Sequence, residues 1–230
     1  KEFPDLQGIL GGYYAEAQGF DKDVCIAIKE HYLPIGSESR IPKNNYSIAI
    51  SLSDKIDTLV GFFGLSLIPS SSKDPYGLRR LTIGLIKIII ENNKSIKIKD
   101  IINYSCQIYI EQQISFDNKK ILNELSNFII DRFKNFMKEK GVRSDIIESS
   151  TINYDLNKLS VIYEKSIFLQ RILKKQAGKD LIESYKRAFN ILQNEDISGR
   201  KEILGSPDPA IFKNDFEKNL YKKINSIRKE

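Results

Sequence analysis

The sequence predicts an all-α protein. Three observations carry the prediction. Apolar residues recur at steps of three and four from Asp21 to Ile224, the period of a half-buried helix. Residues suited to helix ends (Asp21, Asp74 with Pro75, Asp117, Gly141) stand beside those periodic stretches. No βαβ pattern and no tandem repeat interrupts them. About nine helices follow from this reading.

Taken in order, Gly8, Gly11 and Gly12 in "QGILGGYYAEAQG" are expected inside a first helix. There they would let Tyr13, Tyr14 or a second helix pack closely. Asp21 precedes "KDVCIAIKEHYL", where Val24, Ile28 and Tyr32 share a face and Pro34 ends the helix. A Gly/Ser/Pro loop runs to about Asn44. Ile48, Leu52, Ile56, Leu59 and Phe63 form the next stripe, with Gly61 and Gly64 allowing a close approach near its end. After "IPSSSKDP", Asp74 is a suitable N-cap and Pro75 suits the first helical position, where its missing N–H is no loss. Leu78, Leu81, Leu85, Ile88 and Ile89 then face inward. Asp100 to about Gln113 reads as a further helix. Ile121, Leu125, Phe128, Ile129, Phe133, Phe136 and Met137 make the widest stripe, with Gly141 as its C′ stop. Arg143 to about Asn153 reads as a polar connection. A helix from Leu156 through Ile167 is expected to break near Gly178. "KDLIESYKRAFNILQ" presents Leu181, Tyr185, Phe189 and Leu192 as an inner face, and "EDISGRKEILGSPDPA" reads as an exposed connector. Phe212, Phe216, Leu220 and Ile224 mark the last amphipathic segment.

At 230 residues the chain is long enough for one large domain or two modest ones. Its 41% hydrophobic and 29% charged residues are an ordinary balance for a soluble protein. Lys87 and Glu91 interrupt the richest apolar run, so no bilayer span is expected. The opening Lys1-Glu2-Phe3-Pro4 has neither an apolar leader nor an initiator Met, and the chain is expected to be a piece of something longer. Cys25 and Cys106 lie in apolar-periodic stretches and read as buried thiols in a reducing compartment. The net charge of +6 permits contact with nucleic acid or an acidic membrane. Abundant Lys, Ile and Asn point to an AT-rich genome, which discounts that charge.

Few residues suit catalysis. His31 is the only histidine, and two separated cysteines do not make a zinc set. Asp54 and Asp57 share a helix face and, with a histidine from another helix, could form an α-helical phosphohydrolase site, but the paired His-Asp metal ligand of the HD superfamily is missing. His31 reads as a helix C-terminal residue stabilised by the helix dipole. There is no nucleophile elbow and no Walker Lys-Ser/Thr pair. No catalytic residue and no metal ligand is assigned.

"SSSKDPYGLRRLTIGLIKIII" stands out. Lys73, Arg79 and Arg80 crowd the mouth of a helix otherwise built for burial. They are either capping-region charges in solvent or contacts to phosphate at a helix N-terminus. Lys186-Arg187 and Lys174-Lys175 are further basic pairs. Asp54, Asp57 and Asp74 are read as structural polar residues, with Asp57 expected to tether Arg79 or Arg80.

Taken together, "EFPDLQGILGGYYA", "IKEHYLP", "LSDKIDTLVGFFGLSLIPSSSKDPYGLRRLTIGLIKIIIE" and "SYKRAFNIL" resemble the β subunit of the bacterial two-subunit glycyl-tRNA synthetase. The match is ordered from about Glu2 to Leu192, and its densest block is Asp54 to Arg80. Ser70-Ser71-Ser72 replaces the family's usual Thr-Gly-Ser, and Tyr76-Gly77-Leu78-Arg79-Arg80 replaces Phe-Ala-Leu-Arg-Arg. The resemblance implies an HD-like helical domain over 1–142, a helical body over 143–195, and over 196–230 a connector and the start of a DALR-type anticodon-binding domain. It implies a tRNA-binding and scaffold role in a cytoplasmic ligase. The α subunit carries the class II site, in an α2β2 assembly, and ATP is used by the whole enzyme with no cofactor in this part. Lys73, Arg79, Arg80, Lys186 and Arg187 become candidate contacts to the tRNA for glycine. A stand-alone HD-type metal phosphohydrolase and a non-catalytic helical interaction module are the alternatives.

Overall fold

In the computed structural model, residues 6, 8–36, 38–70, 72–194 and 207–227 are described. Most of the expected connector, 195–206, lies outside them, as does the side chain of Leu192. The described residues form ten α-helices and no strand. They divide into two compact units between Lys174 and Lys175.

The first unit holds α1 (Leu10–Ala17), α2 (Lys22–Glu30), α3 (Asn45–Gly64), α4 (Leu78–Glu91), α5 (Ile98–Glu111), α6 (Asn118–Glu139), α7 (Ser144–Thr151) and α8 (Leu159–Leu173). A 3-10 turn, Leu156–Lys158, leads into α8. Side-chain caps begin three of these helices, at Asp21 and Asp117 as the sequence indicates and at Asn44 besides. Asp21 accepts from the Asp23 N–H at 2.8 Å, Asn44 from Tyr46 at 2.8 Å and Asp117 from Lys120 at 3.0 Å. Gly141 ends α6 in a left-handed turn, with the Val142 N–H returning to the Met137 carbonyl. Ser66, Asn93 and Gln113 end α3, α4 and α5 by the same turn, without glycine.

α3 packs against α2, α4, α5 and α6, and α4 touches α6 and α8. The core therefore sits around α4, where Leu78, Leu85, Ile86 and Ile88 are fully buried. Phe133, Leu125 and Ile129 of α6 and Ile56 and Leu59 of α3 meet them in one cluster. Each such side chain contributes about 1.5–3 kcal/mol relative to exposure. Gly12 lets α1 lie on α2: a Cβ there would stand 2.8 Å from the Cys25 carbonyl oxygen. Gly61 and Gly64 receive the Tyr109 hydroxyl and the Phe116 ring, 2.6 and 2.5 Å from where their Cβ atoms would be. Cys25 and Cys106 are buried free thiols.

Several sequence expectations need correction. Gly8 lies before α1 at φ +88°, so only Gly11 and Gly12 are helical. Residues 144–151 are helix α7 and not a loop. Ile146, Ile147 and Thr151 bury one side of it, too short a stripe to stand out among polar neighbours. The break after α8 falls at 174–175, with Gly178 inside the following helix. α4 begins at Leu78, so Pro75 belongs to the preceding turn.

The second unit holds α9 (Gln176–Asn194), a 3-10 turn at Pro209–Ile211 and α10 (Asp215–Ile227). The expected inner face of α9 is exposed: Leu181 is 66% and Tyr185 67% accessible, and Tyr185 stacks on Phe189 with centroids 6.1 Å apart. On α10, Phe216 and Leu220 are likewise exposed.

Candidate nucleic-acid interface

The turn from Ser70 to Gly77 is built by its own polar groups. The Ser70 hydroxyl accepts from the Lys73 N–H at 3.2 Å. The Asp74 carboxylate accepts from the N–H groups of Leu78 (2.8 Å) and Arg79 (3.0 Å). Gly77, and not the expected Asp74, holds the N-cap position, but the Asp74 carboxylate reaches across the turn to the first two N–H groups of α4. Gly77 occupies the left-handed region at φ +67°, which makes that reach possible. Tyr76 packs on Phe62 of α3 with ring centroids 4.5 Å apart.

The two arginines have different surroundings. Arg79 is half-buried, and its guanidinium donates to the Ser70 carbonyl, closing the turn on itself. Arg80 is exposed and folds back over Gly77, with Nη2 3.2 Å from the position of a Gly77 Cβ. Lys73 is also exposed. None of the ion pairs among the described residues involves Lys73, Arg79 or Arg80. Two exposed cations without carboxylate partners therefore flank an N-terminus already filled by Asp74.

The expected tether between Asp57 and an arginine is absent. Asp57 lies on the side of α3 that meets α5, where it accepts from the Ser105 hydroxyl at 3.2 Å and the Tyr109 hydroxyl at 3.5 Å. Burial, with the Asp57 charge next, raises the Tyr109 pKa. Asp54 instead lines a cavity of about 710 Å3 together with Tyr32, Lys55, Thr58, Tyr76 and Arg80. His31 caps the end of α2, and its Nδ1 lies 2.6 Å from the Ile28 carbonyl, which fixes Nδ1 as the protonated nitrogen. Among the described residues no group of three His, Cys, Asp or Glu could hold a metal ion. No helix among them is long and apolar enough to cross a membrane. Lys186 and Arg187 are exposed on α9 of the second unit.

The model of the family described as glycyl-tRNA synthetase beta subunit matches residues 1–151. The chain belongs to the glycyl-tRNA synthetase beta subunit family. The chain is similar to the glycine–tRNA ligase beta subunit of Rickettsia canadensis, at 38% identity over 226 residues, covering 98% of this chain and 32% of that relative. It is also similar to that of Cereibacter sphaeroides, at 34% identity over 220 residues, covering 96% and 32%. The chain thus spans about a third of the length of the curated relatives it matches. The match to the glycyl-tRNA synthetase beta subunit family contains the whole Asp54–Arg80 block and all of α1 to α7.

In this synthetase-family chain, sequence reasoning missed two features near the arginines. Lys55 is 3% exposed and donates to the Ser51 hydroxyl at 2.9 Å, with longer contacts to the His31 and Tyr32 carbonyls at 3.4 and 3.5 Å. Burial brings its pKa down to about 8, against a smaller opposing effect of Asp54. Its position between Leu52 and Ile56 and Leu59 was the available signal, because that register faces the core. Arg132 and Asn135 of α6 share a second cavity with Arg79 and Arg80. Nothing local in the sequence links residues more than fifty positions apart.

Proposed function

We propose that this chain is a tRNA-binding and scaffold portion of a glycine–tRNA ligase β subunit. In this reading it supports ATP-dependent attachment of glycine to its tRNA at a class II site on the α subunit, in a cytoplasmic α2β2 enzyme. The chain itself supplies no catalytic group and no cofactor site. Residues 1–142 are read as an HD-like domain, 143–195 as the body that follows, and 196–230 as the approach to a DALR-type anticodon-binding domain.

The observation that carries the RNA-binding part is the pair of exposed, carboxylate-free cations Lys73 and Arg80 beside a turn that Asp74 and Arg79 hold rigid. A phosphate contact by such a group adds affinity without base specificity and steepens the salt dependence. Lys186 and Arg187 on α9 offer a second exposed basic pair.

The test uses the whole ligase with single Lys73→Ala, Arg80→Ala, Lys186→Ala and Arg187→Ala changes, titrated with its tRNA at several salt concentrations. Each true contact should weaken binding and reduce the log–log salt slope by roughly one. Arg79→Ala should instead lower the melting temperature, because the turn loses its closure on Ser70. Wild-type affinity and slope in all four surface variants would refute the reading.

A further inference from the structure

A cavity of about 230 Å3 lies between α4 and α6. Arg79, Arg80 and Lys87 reach it from α4, and Arg132, Asn135 and Glu139 from α6. Helix geometry explains the grouping. Arg80 and Lys87 are two turns apart on one face, and Arg132, Asn135 and Glu139 follow at steps of three and four on another. Pro34 and Gly36 close one end. Gly84 also lines the cavity, and a Cβ there would already stand 3.3 Å from Pro34, so any larger residue would intrude.

Four basic residues and one carboxylate line this space. Positive charge gathered where solvent is thin is unfavourable unless an anion balances it. Arg79 is tied to the Ser70 carbonyl, and the Lys87 ammonium donates to the Ser39 carbonyl at 2.9 Å. Arg132 has no such partner. Its Nε is buried without a hydrogen-bond acceptor, and its guanidinium carbon sits 5.8 Å from the centroid of the Phe128 ring. Such an orphaned buried donor is unfavourable, the more so on a charged group. A bound anion would offset this accumulation of positive charge. The space corresponds to about seven or eight waters, which suits a phosphate or diphosphate group. Guanidinium forks match phosphate oxygens two at a time.

We propose that the α4–α6 cavity is a phosphate-binding site in which Arg132 and Arg80 hold the anion and Lys87 adds charge beside it. The ligand is a compact phosphate-bearing anion. It comes either from an RNA backbone, which rests on the function proposed above, or from a free diphosphate, which does not.

The probe is inorganic pyrophosphate, titrated calorimetrically at low salt into the 230-residue chain and into its Arg132→Gln and Arg80→Gln variants. Circular dichroism melts check that each variant is folded; Arg80 is exposed, so at least that variant should be native. Saturable 1:1 binding by the wild type, weakened at least about tenfold in each variant, is expected. Absence of wild-type binding, or equal affinity in a folded Arg80→Gln variant, overturns the site. Displacement of tRNA by pyrophosphate in wild-type ligase, lost in Arg132→Gln, identifies RNA phosphate as the source. Retention of tRNA at saturating pyrophosphate identifies the free anion. No pyrophosphate binding together with a tRNA affinity that still falls in Lys73→Ala removes this site and leaves the proposed function standing.

Discussion

Lys55→Met tests how the buried ammonium acts on stability. The side chain is 3% exposed, its one short hydrogen bond is to Ser51, and its contacts to the His31 and Tyr32 carbonyls are long. Burial lowers its pKa from the ordinary 10.5 to about 8. That difference corresponds to about 3 kcal/mol by which the fold prefers the neutral amine. Below pH 8 the lysine is charged in both folded and unfolded chains, so the whole penalty is present. Between pH 8 and 10.5 the unfolded lysine still carries a proton that the folded one has released. The unfolded state then binds more protons, and stability rises with pH across that window.

Methionine fills a similar volume without the charge. Ser51 still donates to the Leu33 carbonyl at 2.6 Å, so the α2–α3 connection keeps its best hydrogen bond. The variant should be about 1–2 kcal/mol more stable than wild type at pH 7. That advantage should shrink, and then reverse, as pH rises from 8 to 10.5. Urea unfolding followed by circular dichroism at 222 nm, on both proteins at several pH values, measures the difference. Every other ionisable group is common to the two proteins, so its contribution cancels in the difference. Parallel stability–pH curves would refute the reasoning, because Lys55 would then be ionising as a solvated amine. A loss of several kcal/mol at pH 7 would also refute it, by making the ammonium a fastener of the α2 carbonyls.

Asp74→Ala removes the acceptor of two N–H groups and should lower stability by about 1–2 kcal/mol, with faster amide exchange at Leu78 and Arg79. Gly12→Ala puts a methyl against the Cys25 carbonyl and the Lys29 side chain; it should cost about 1–3 kcal/mol and open Leu10–Ala17 to amide exchange. Asp57→Asn removes the negative charge beside Tyr109, so the tyrosine's pKa should fall but stay above the ordinary value because burial is the larger cause. Ring-proton NMR titration reads this directly, and an unchanged Tyr109 pKa would place Asp57 out of contact.

What could be read from the sequence was what arises between near neighbours on the chain. The helical period, the Asp21 and Asp117 caps, the hold of Asp74 on the start of α4, and the Gly141 stop all depend on groups within about five residues of each other. Apolar stripes told which face of α3, α4 and α6 is buried, since burial of an amphipathic face is a local pattern. The family resemblance was legible for the same reason, as an ordered run of short blocks. Tertiary structure alone decided which faces meet. It turned Asp57 towards Ser105 and Tyr109, 48 and 52 residues away, and not towards the arginines. It placed Lys55 beneath the carbonyls that end α2 and set Arg132 of α6 beside Arg79 and Arg80 of α4. It left the apolar face of α9 exposed although the pattern alone would bury it. These outcomes depend on how helices cross and on the direction in which each side chain leaves its helix. Packing of the whole core sets both, and no short segment encodes either.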